Sequence, residues 1–201
     1  IHASLLPKWR GAAPIQRSLI SMDKITGLSI MKINSKLDEG PVCNKYPLDI
    51  LENENAKSLA DRLSNLAAEK ILPNIENILQ QTVNFEEQDS STATYAKKIQ
   101  KIEGKINWND GADEILAKIN GLYPQPGAWF GFENNRHKIL RATLSKTTMR
   151  PGEIIDDELT ISCGNKSIKV TEIQREGKKP QKTMDFLLGS KLKKGIILKN
   201  E

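Results

Sequence analysis

Cysteine is scarce in this chain. Cys43 and Cys163 are the only two, 120 positions apart, and neither belongs to a CxxC pair or a Cys/His cluster. That excludes a disulfide framework and argues against a zinc site, and it leads to the expectation of a reducing, cytoplasmic setting and no metal. Aromatic residues make up 5% of the chain, too few for a protein that grips single strands by stacking bases on rings. No apolar run is long enough to cross a bilayer, so a membrane partner is not expected. The phosphate-binding and hydrolytic motifs GxGxxG, GxxxxGK[ST], GxSxG and HExxH are all missing.

What remains is a chain of 201 residues, 38% hydrophobic, with a mean hydropathy of −0.48. This suits one large or two small globular domains. The net charge of +5 is unevenly spread. Residues 1–100 hold 12 basic and 12 acidic side chains, whereas residues 136–199 hold 15 and 7. Such asymmetry suggests two domains with different partners, a polyanion for the second. The chain opens on Ile1 rather than Met, which raises the expectation that it is the back part of a longer protein.

Along the first half, Pro14 suits the first turn of a short helix over residues 15–20. Leu28–Ile33 and Val42–Leu48 read as two strands of a hairpin, with Asp38 in the Leu37-Asp38-Glu39-Gly40 loop at its tip. Ser58-Leu59-Ala60-Asp61 resembles a capping box. Leu59, Leu63, Leu66 and Ala67 then recur at helical spacing, in a helix expected to end or kink at Pro73. Ile75, Ile78 and Leu79 continue with a second apolar stripe, and both stripes are expected to pack in a core. Residues 81–104 are polar and unperiodic, as a linker would be. A helix follows over residues 111–122. Five short strands then come within about seventy residues: Ala128–Phe132, Lys138–Leu144, Gly152–Ile155, Leu159–Ser162 and Ile168–Ile173. Together they suggest a small closed barrel.

For chemistry the candidates are few. His2 precedes a Ser-Leu-Leu-Pro turn, and Asp38 stands on the hairpin tip. An imidazole and a carboxylate together can move a proton near neutral pH. On residue types alone, a loop histidine and a loop aspartate are more often two surface groups. His137 lacks any partner motif and reads as a surface residue.

The stretch His2-Ala3-Ser4-Leu5-Leu6-Pro7-Lys8-Trp9-Arg10-Gly11-Ala12-Ala13-Pro14-Ile15-Gln16 closely resembles the signature of the folate-dependent formyltransferases. Leu37-Asp38-Glu39-Gly40 is similar to their Leu-Asp-x-Gly loop. Lys105-Ile106-Asn107-Trp108, Tyr123-Pro124-Gln125-Pro126-Gly127-Ala128-Trp129, Gly177-Lys178-Lys179-Pro180 and Phe186-Leu187-Leu188-Gly189 look like landmarks of the branch that formylates methionyl-tRNA. The resemblance implies an α/β plus β fold. Residues 1–80 would be the rear part of a Rossmann-like catalytic domain, 81–104 a linker, and 105–201 an OB-like β-barrel that binds tRNA.

It also implies a reaction and its partners. A formyl group would pass from 10-formyltetrahydrofolate, as co-substrate, to the α-amine of methionyl-initiator tRNA. His2 and Asp38 would be catalytic, joined by an asparagine that would fall just before Ile1, so that these residues alone would be inactive. Ser4, Leu5, Leu6 and Pro7 would form the wall against the folate. Lys178, Lys179, Lys182, Lys191, Lys193 and Lys194 would meet tRNA phosphates. Arg10 would hold the loop by bonding carbonyls, with a phosphate contact as the alternative, and the protein would be a monomer. The alternatives are a related formyltransferase or hydrolase acting on a sugar amine or the formyl donor, and a non-catalytic RNA-binding module. Residues 123–129 and 177–189 favour the tRNA enzyme.

Overall fold

A computed structural model of the chain describes residues 1–200. They fall into two compact units, Ile1–Ile99 and a second that begins at Gln100.

The first unit is built around a hairpin. After β1 (Arg10–Gly11), helix α1 (Pro14–Ile20) starts on its proline, and β2 (Ile25–Met31) pairs antiparallel with β3 (Val42–Asp49) in the register Leu28↔Tyr46. Helix α2 (Ala56–Leu79) lays Leu59 and Leu63 against Leu19 and Leu28, which with Ala56 make a core of five buried side chains. The strand β4 (Tyr95–Ala96) returns to pair in parallel with β1.

Several details of α2 differ from the expectation. Its cap is Asn55, whose side chain accepts from the Ser58 N–H at 3.0 Å while Ser58 Oγ accepts from the Asn55 N–H at 3.1 Å. Such a reciprocal cap contributes about 1 kcal/mol. The helix also continues past Pro73 rather than ending there. Proline withdraws a backbone donor, but its neighbour Asn74 ties this stretch to β3. Asn74 Nδ2 donates to Tyr46 Oη and to the Lys70 carbonyl, both at 2.7 Å, and its Oδ1 accepts from Asn44 Nδ2 at 2.6 Å. The second apolar stripe is not core. Ile75 and Leu79 are 43% and 77% exposed and Ile78 is only half-buried, because periodicity marks a helix face without saying what covers it.

Residues 81–99 pack on the first unit. Val42 and Glu86 exchange backbone hydrogen bonds, each of 2.9 Å. Asp89 caps a short 3-10 turn over Ser90–Thr92, and β4 completes the strap.

In the second unit, α3 (Ala112–Leu122) buries Ala112, Ile115, Leu116, Ile119 and Leu122 on one face. Glu114 accepts the Gly111 N–H at its start. Strands β5 (Ala128–Phe132), β6 (Asn135–Ser145), β7 (Thr160–Ser162), β8 (Ser167–Arg175) and β9 (Gln181–Lys182) form one antiparallel sheet. Its order is β5-β6-β8-β7, with β9 also on β8, and α4 (Thr183–Leu188) follows. Residues 152–155 make two isolated bridges, Glu153↔Ile197 and Ile154↔Ile161, rather than a ladder strand. Twenty buried side chains, Trp108 and Phe130 the largest, fill the core. No helix among the described residues is long and apolar enough to cross a membrane.

Candidate active site

His2 is fixed by its backbone before its ring does anything. It exchanges two 2.9 Å hydrogen bonds with Ser29, so the first residues lie along the free edge of β2. The fully buried Ser29 Oγ donates to the Ser4 carbonyl at 2.7 Å and accepts from the Leu6 N–H at 2.9 Å. Ser4 Oγ in turn donates to the Lys8 carbonyl. The turn therefore curls back, and the His2 Nε2–H donates to the Trp9 carbonyl at 2.9 Å. With Nε2 so occupied, Nδ1 is the nitrogen that remains for other partners.

Asp38 supplies what Nδ1 faces. The loop between β2 and β3 is closed by the Lys32 N–H on the Pro41 carbonyl at 2.9 Å. Asp38 sits there in the left-handed region at φ 52°, which aspartate tolerates better than most residues. Its Oδ2 lies 3.6 Å from His2 Nδ1 and accepts the Gly11 N–H at 2.8 Å. The 3.6 Å gap exceeds a direct hydrogen bond, so a reacting group can engage both. Gly11 is required where it stands: φ is +121°, and a Cβ would come within 2.8 Å of the Ala96 carbonyl oxygen.

Behind Asp38 lies a polar support that motif reading missed. Gln88 Nε2 donates to the carbonyls of Asp38 and Gly40, each at 2.8 Å. Its Oε1 accepts from Arg10 Nε at 3.0 Å. Arg10 is 1% exposed, with Nη1 3.7 Å from Glu39, so it is an internal brace, as read from the sequence.

His2 and Asp38 open onto a cavity of about 500 Å³, whose apolar side is Met31, Ile33 and Leu37. Ser4, Leu5, Leu6 and Pro7 do not line it. Ser4 and Leu6 point inward and are buried, while Leu5 and Pro7 are half-buried. Such an arrangement can orient a substrate carbonyl, supply a hydrogen-bond donor and take up a proton.

In the second unit, Lys178, Lys179, Lys182, Lys191, Lys193 and Lys194 are all exposed. Lys178 and Lys179 join Arg175 and Phe186 around a hollow of about 400 Å³, and Lys191 pairs with Glu133 at 3.1 Å. His137 is not a surface residue. It is 4% exposed, stacked on Phe130 with ring centroids 5.4 Å apart and flanked by Phe132 and Phe186. Its Nδ1 is sealed from solvent and finds no partner of good hydrogen-bond geometry. Burial pushes its pKa below the ordinary imidazole value, more than the Asn135 carbonyl offsets. Burial likewise pushes the Cys163 thiol up to about 12, which leaves it unreactive. Among the described residues no group of three or more His, Cys, Asp or Glu side chains could hold a metal ion.

The sequence of both units also matches known proteins. Residues 1–75 match the family described as "Formyl transferase" and residues 98–191 "Formyl transferase, C-terminal domain". Methionyl-tRNA formyltransferase of Pelagibacter ubique is 56% identical over all of this chain and 65% of its own length. That of Bradyrhizobium diazoefficiens is 43% identical over 97% of this chain and 64% of its own length. The chain thus spans about 65% of these curated relatives. Among solved structures, HypX from Aquifex aeolicus, in complex with tetrahydrofolic acid, aligns with 96% of this chain and 35% of its own, with a TM-score of 0.74 and 16% identity. The structural likeness shows a shared fold; the sequence matches, which reach both units, make this chain a member of the formyl transferase family.

Proposed function

We propose that this chain carries the catalytic pair and the tRNA-facing domain of a methionyl-tRNA formyltransferase. The observation that carries the reading is the His2–Asp38 pair, 3.6 Å apart over an open cavity, in a chain 56% identical to a relative of that name. The co-substrate is 10-formyltetrahydrofolate. A cavity of about 500 Å³ with an apolar wall and the polar pair at one end suits a flat, partly polar heterocycle. Leu5 and Pro7, half-buried, extend apolar surface from the turn, and buried Ser4 and Leu6 shape it.

In the reaction, the neutral α-amine of the esterified methionine attacks the formyl carbon. A C–N bond forms, and the carbonyl electrons move onto the formyl oxygen. His2, carrying a proton on each ring nitrogen, stabilises that oxygen through its Nδ1–H, because its Nε2–H is held by the Trp9 carbonyl. Asp38 orients the imidazole and takes up the amine's proton. Collapse of the intermediate breaks the bond to the folate nitrogen, which leaves with a proton returned by the same pair. A preorganised donor to the oxyanion contributes about 10²–10³ in rate.

We read the five-stranded sheet of the second unit as an OB-like barrel, extended by the bridges Lys105↔Trp129 and Ile154↔Ile161. Lys178, Lys179, Lys182, Lys191, Lys193 and Lys194 contact tRNA phosphates, which gives affinity rather than sequence choice. The free thiols Cys43 and Cys163 fit a cytoplasmic setting.

The test is formylation of methionyl-initiator tRNA by the complete gene product carrying these residues, with 10-formyltetrahydrofolate as donor. Formylated tRNA is the expected product. Formyl transfer only to a sugar amine, or only hydrolysis of the donor, overturns the reading.

A further inference from the structure

We propose that Gln88 is a positioning residue for Asp38: its carboxamide locks the Asp38 loop at the distance from His2 that the reaction requires. This rests on the reading of His2 and Asp38 given above.

The orientation of the Gln88 side chain is unambiguous. Arg10 Nε can only donate, so the carboxamide oxygen must face it, 3.0 Å away. The carbonyls of Asp38 and Gly40 can only accept, so the amide NH2 must face them, at 2.8 Å each. Reversing the amide would set donor against donor at Arg10 and acceptor against acceptor at both carbonyls. One side chain thus engages both its donor hydrogens and its acceptor.

These bonds close a ring. The Gly11 N–H holds the Asp38 carboxylate at 2.8 Å. Arg10, the residue before Gly11, holds Gln88, and Gln88 holds the Asp38 backbone. Asp38 adopts φ 52°, a conformation that persists where the surroundings over-determine it. Gln88 itself cannot drift. On one side Glu86 is bonded twice to Val42. On the other, Asp89 accepts from the Ser91 N–H at 2.9 Å, and Tyr95 and Ala96 pair with Arg10 and Gly11. A rigid strap therefore presents one polar side chain to the loop that carries the carboxylate. Displacing a reacting group by about 1 Å can cost on the order of 10² in rate.

The experiment uses the complete gene product in four forms besides the wild type: Gln88→Ala, Gln88→Glu, Asp38→Asn and the Asp38→Asn/Gln88→Ala double variant. Steady-state and single-turnover formylation are measured alongside thermal unfolding. Gln88→Ala is expected to lower kcat about 10- to 100-fold, with the KM for the formyl donor within about threefold of wild type. Gln88→Glu keeps an acceptor for Arg10 but sets a carboxylate oxygen against two carbonyls. It is expected to lose at least as much kcat while unfolding near the wild-type temperature. In the Asp38→Asn background, removing Gln88 is expected to cost less than about threefold more, because both changes act on one group. A purely structural role would leave the losses additive and lower the unfolding temperature of every Gln88 variant. Additive losses, wild-type kcat in Gln88→Ala, or full activity in Gln88→Glu overturn the proposal while leaving Asp38 catalytic. Near-normal turnover in Asp38→Asn overturns the reading of the site itself, and this proposal with it.

Discussion

The two units are of similar length but fill their interiors differently. The second unit closes on twenty buried side chains of one continuous cluster, while the first has a cluster of five. In place of a large apolar core the first unit buries His2, Ser4, Arg10, Ser18, Thr26, Ser29, Glu54 and Asn74. Most of these are bonded to backbone groups or to one another, and such networks specify geometry when they are satisfied. The two histidines show the consequence. His2, 9% exposed, has a carbonyl on one ring nitrogen, a carboxylate near the other and a cavity beside it. His137, 4% exposed, has three phenylalanine rings around it, a sealed Nδ1 without a well-formed hydrogen bond, and beside it only a small hollow of about 130 Å³. Burial alone therefore does not make a histidine functional; the polar frame around His2 separates the two.

The largest expected effect comes from breaking that frame at its centre. Asp38→Asn keeps size and shape but removes the negative charge facing His2. Formylation by the complete gene product should fall at least about 100-fold, the scale of a positioned acid–base group, with thermal stability changed little because Asp38 is partly exposed. His137→Ala should leave turnover per folded molecule within about threefold of wild type. Equal losses of turnover in the two variants would erase the distinction between the histidines. The Gln88 variants come next in size, and they ask whether the frame extends one layer beyond the carboxylate.

Much of this was legible in residue order, and the exceptions have physical causes. The hairpin showed through branched residues in Leu28–Ile33 followed by a polar loop, and the structure brings His2, on the edge of β2, to 3.6 Å from Asp38 in that loop. Gln88 was hidden because a strap held by two backbone bonds to Val42, and by one carboxamide, leaves no periodicity. Residues 81–104 have the composition of a linker although residues 81–99 belong to the first unit. Pro73 looked like a helix end because the cross-brace from Asn74 to Tyr46 and Asn44 spans 28 and 30 residues. His137 looked superficial because the rings that enclose it come from β5 and α4, and no local pattern announces a neighbour drawn from another element.

A smaller effect is expected on the second unit's outer face. Replacing Lys178, Lys179 and Lys182 with Ala should weaken tRNA binding several-fold at moderate salt. The slope of log K against log salt should also become shallower by close to one for each phosphate no longer neutralised. All three are exposed, so unfolding should not change. If affinity and slope both match wild type, this face is only solvated charge, and the contrast between the units would be one of packing alone.

The smallest effect concerns His137, where the contrast can be read as pH dependence. Replacing His137 with Leu removes a sealed ring nitrogen that lacks a well-formed hydrogen bond and keeps an apolar group among Phe130, Phe132 and Phe186. At pH 7.5 the variant should be more stable by about 1 kcal/mol, the low end of the cost of an unsatisfied buried polar group. On acidification the gap should widen. An unfolded chain's imidazole takes up a proton as pH falls through about 6.5, whereas burial holds the folded His137 pKa lower. Between those two values the unfolded state binds more protons, so stability present above about pH 6.5 is lost as pH falls. Leu has no such titration, and the carboxylates common to both proteins cancel in the difference. Urea midpoints for both proteins at pH 7.5 and 5.5 measure this directly. Parallel losses on acidification would mean that folded His137 takes up its proton as readily as the unfolded chain. Sealed and solvated imidazoles would then titrate alike, against what its enclosure by three rings requires.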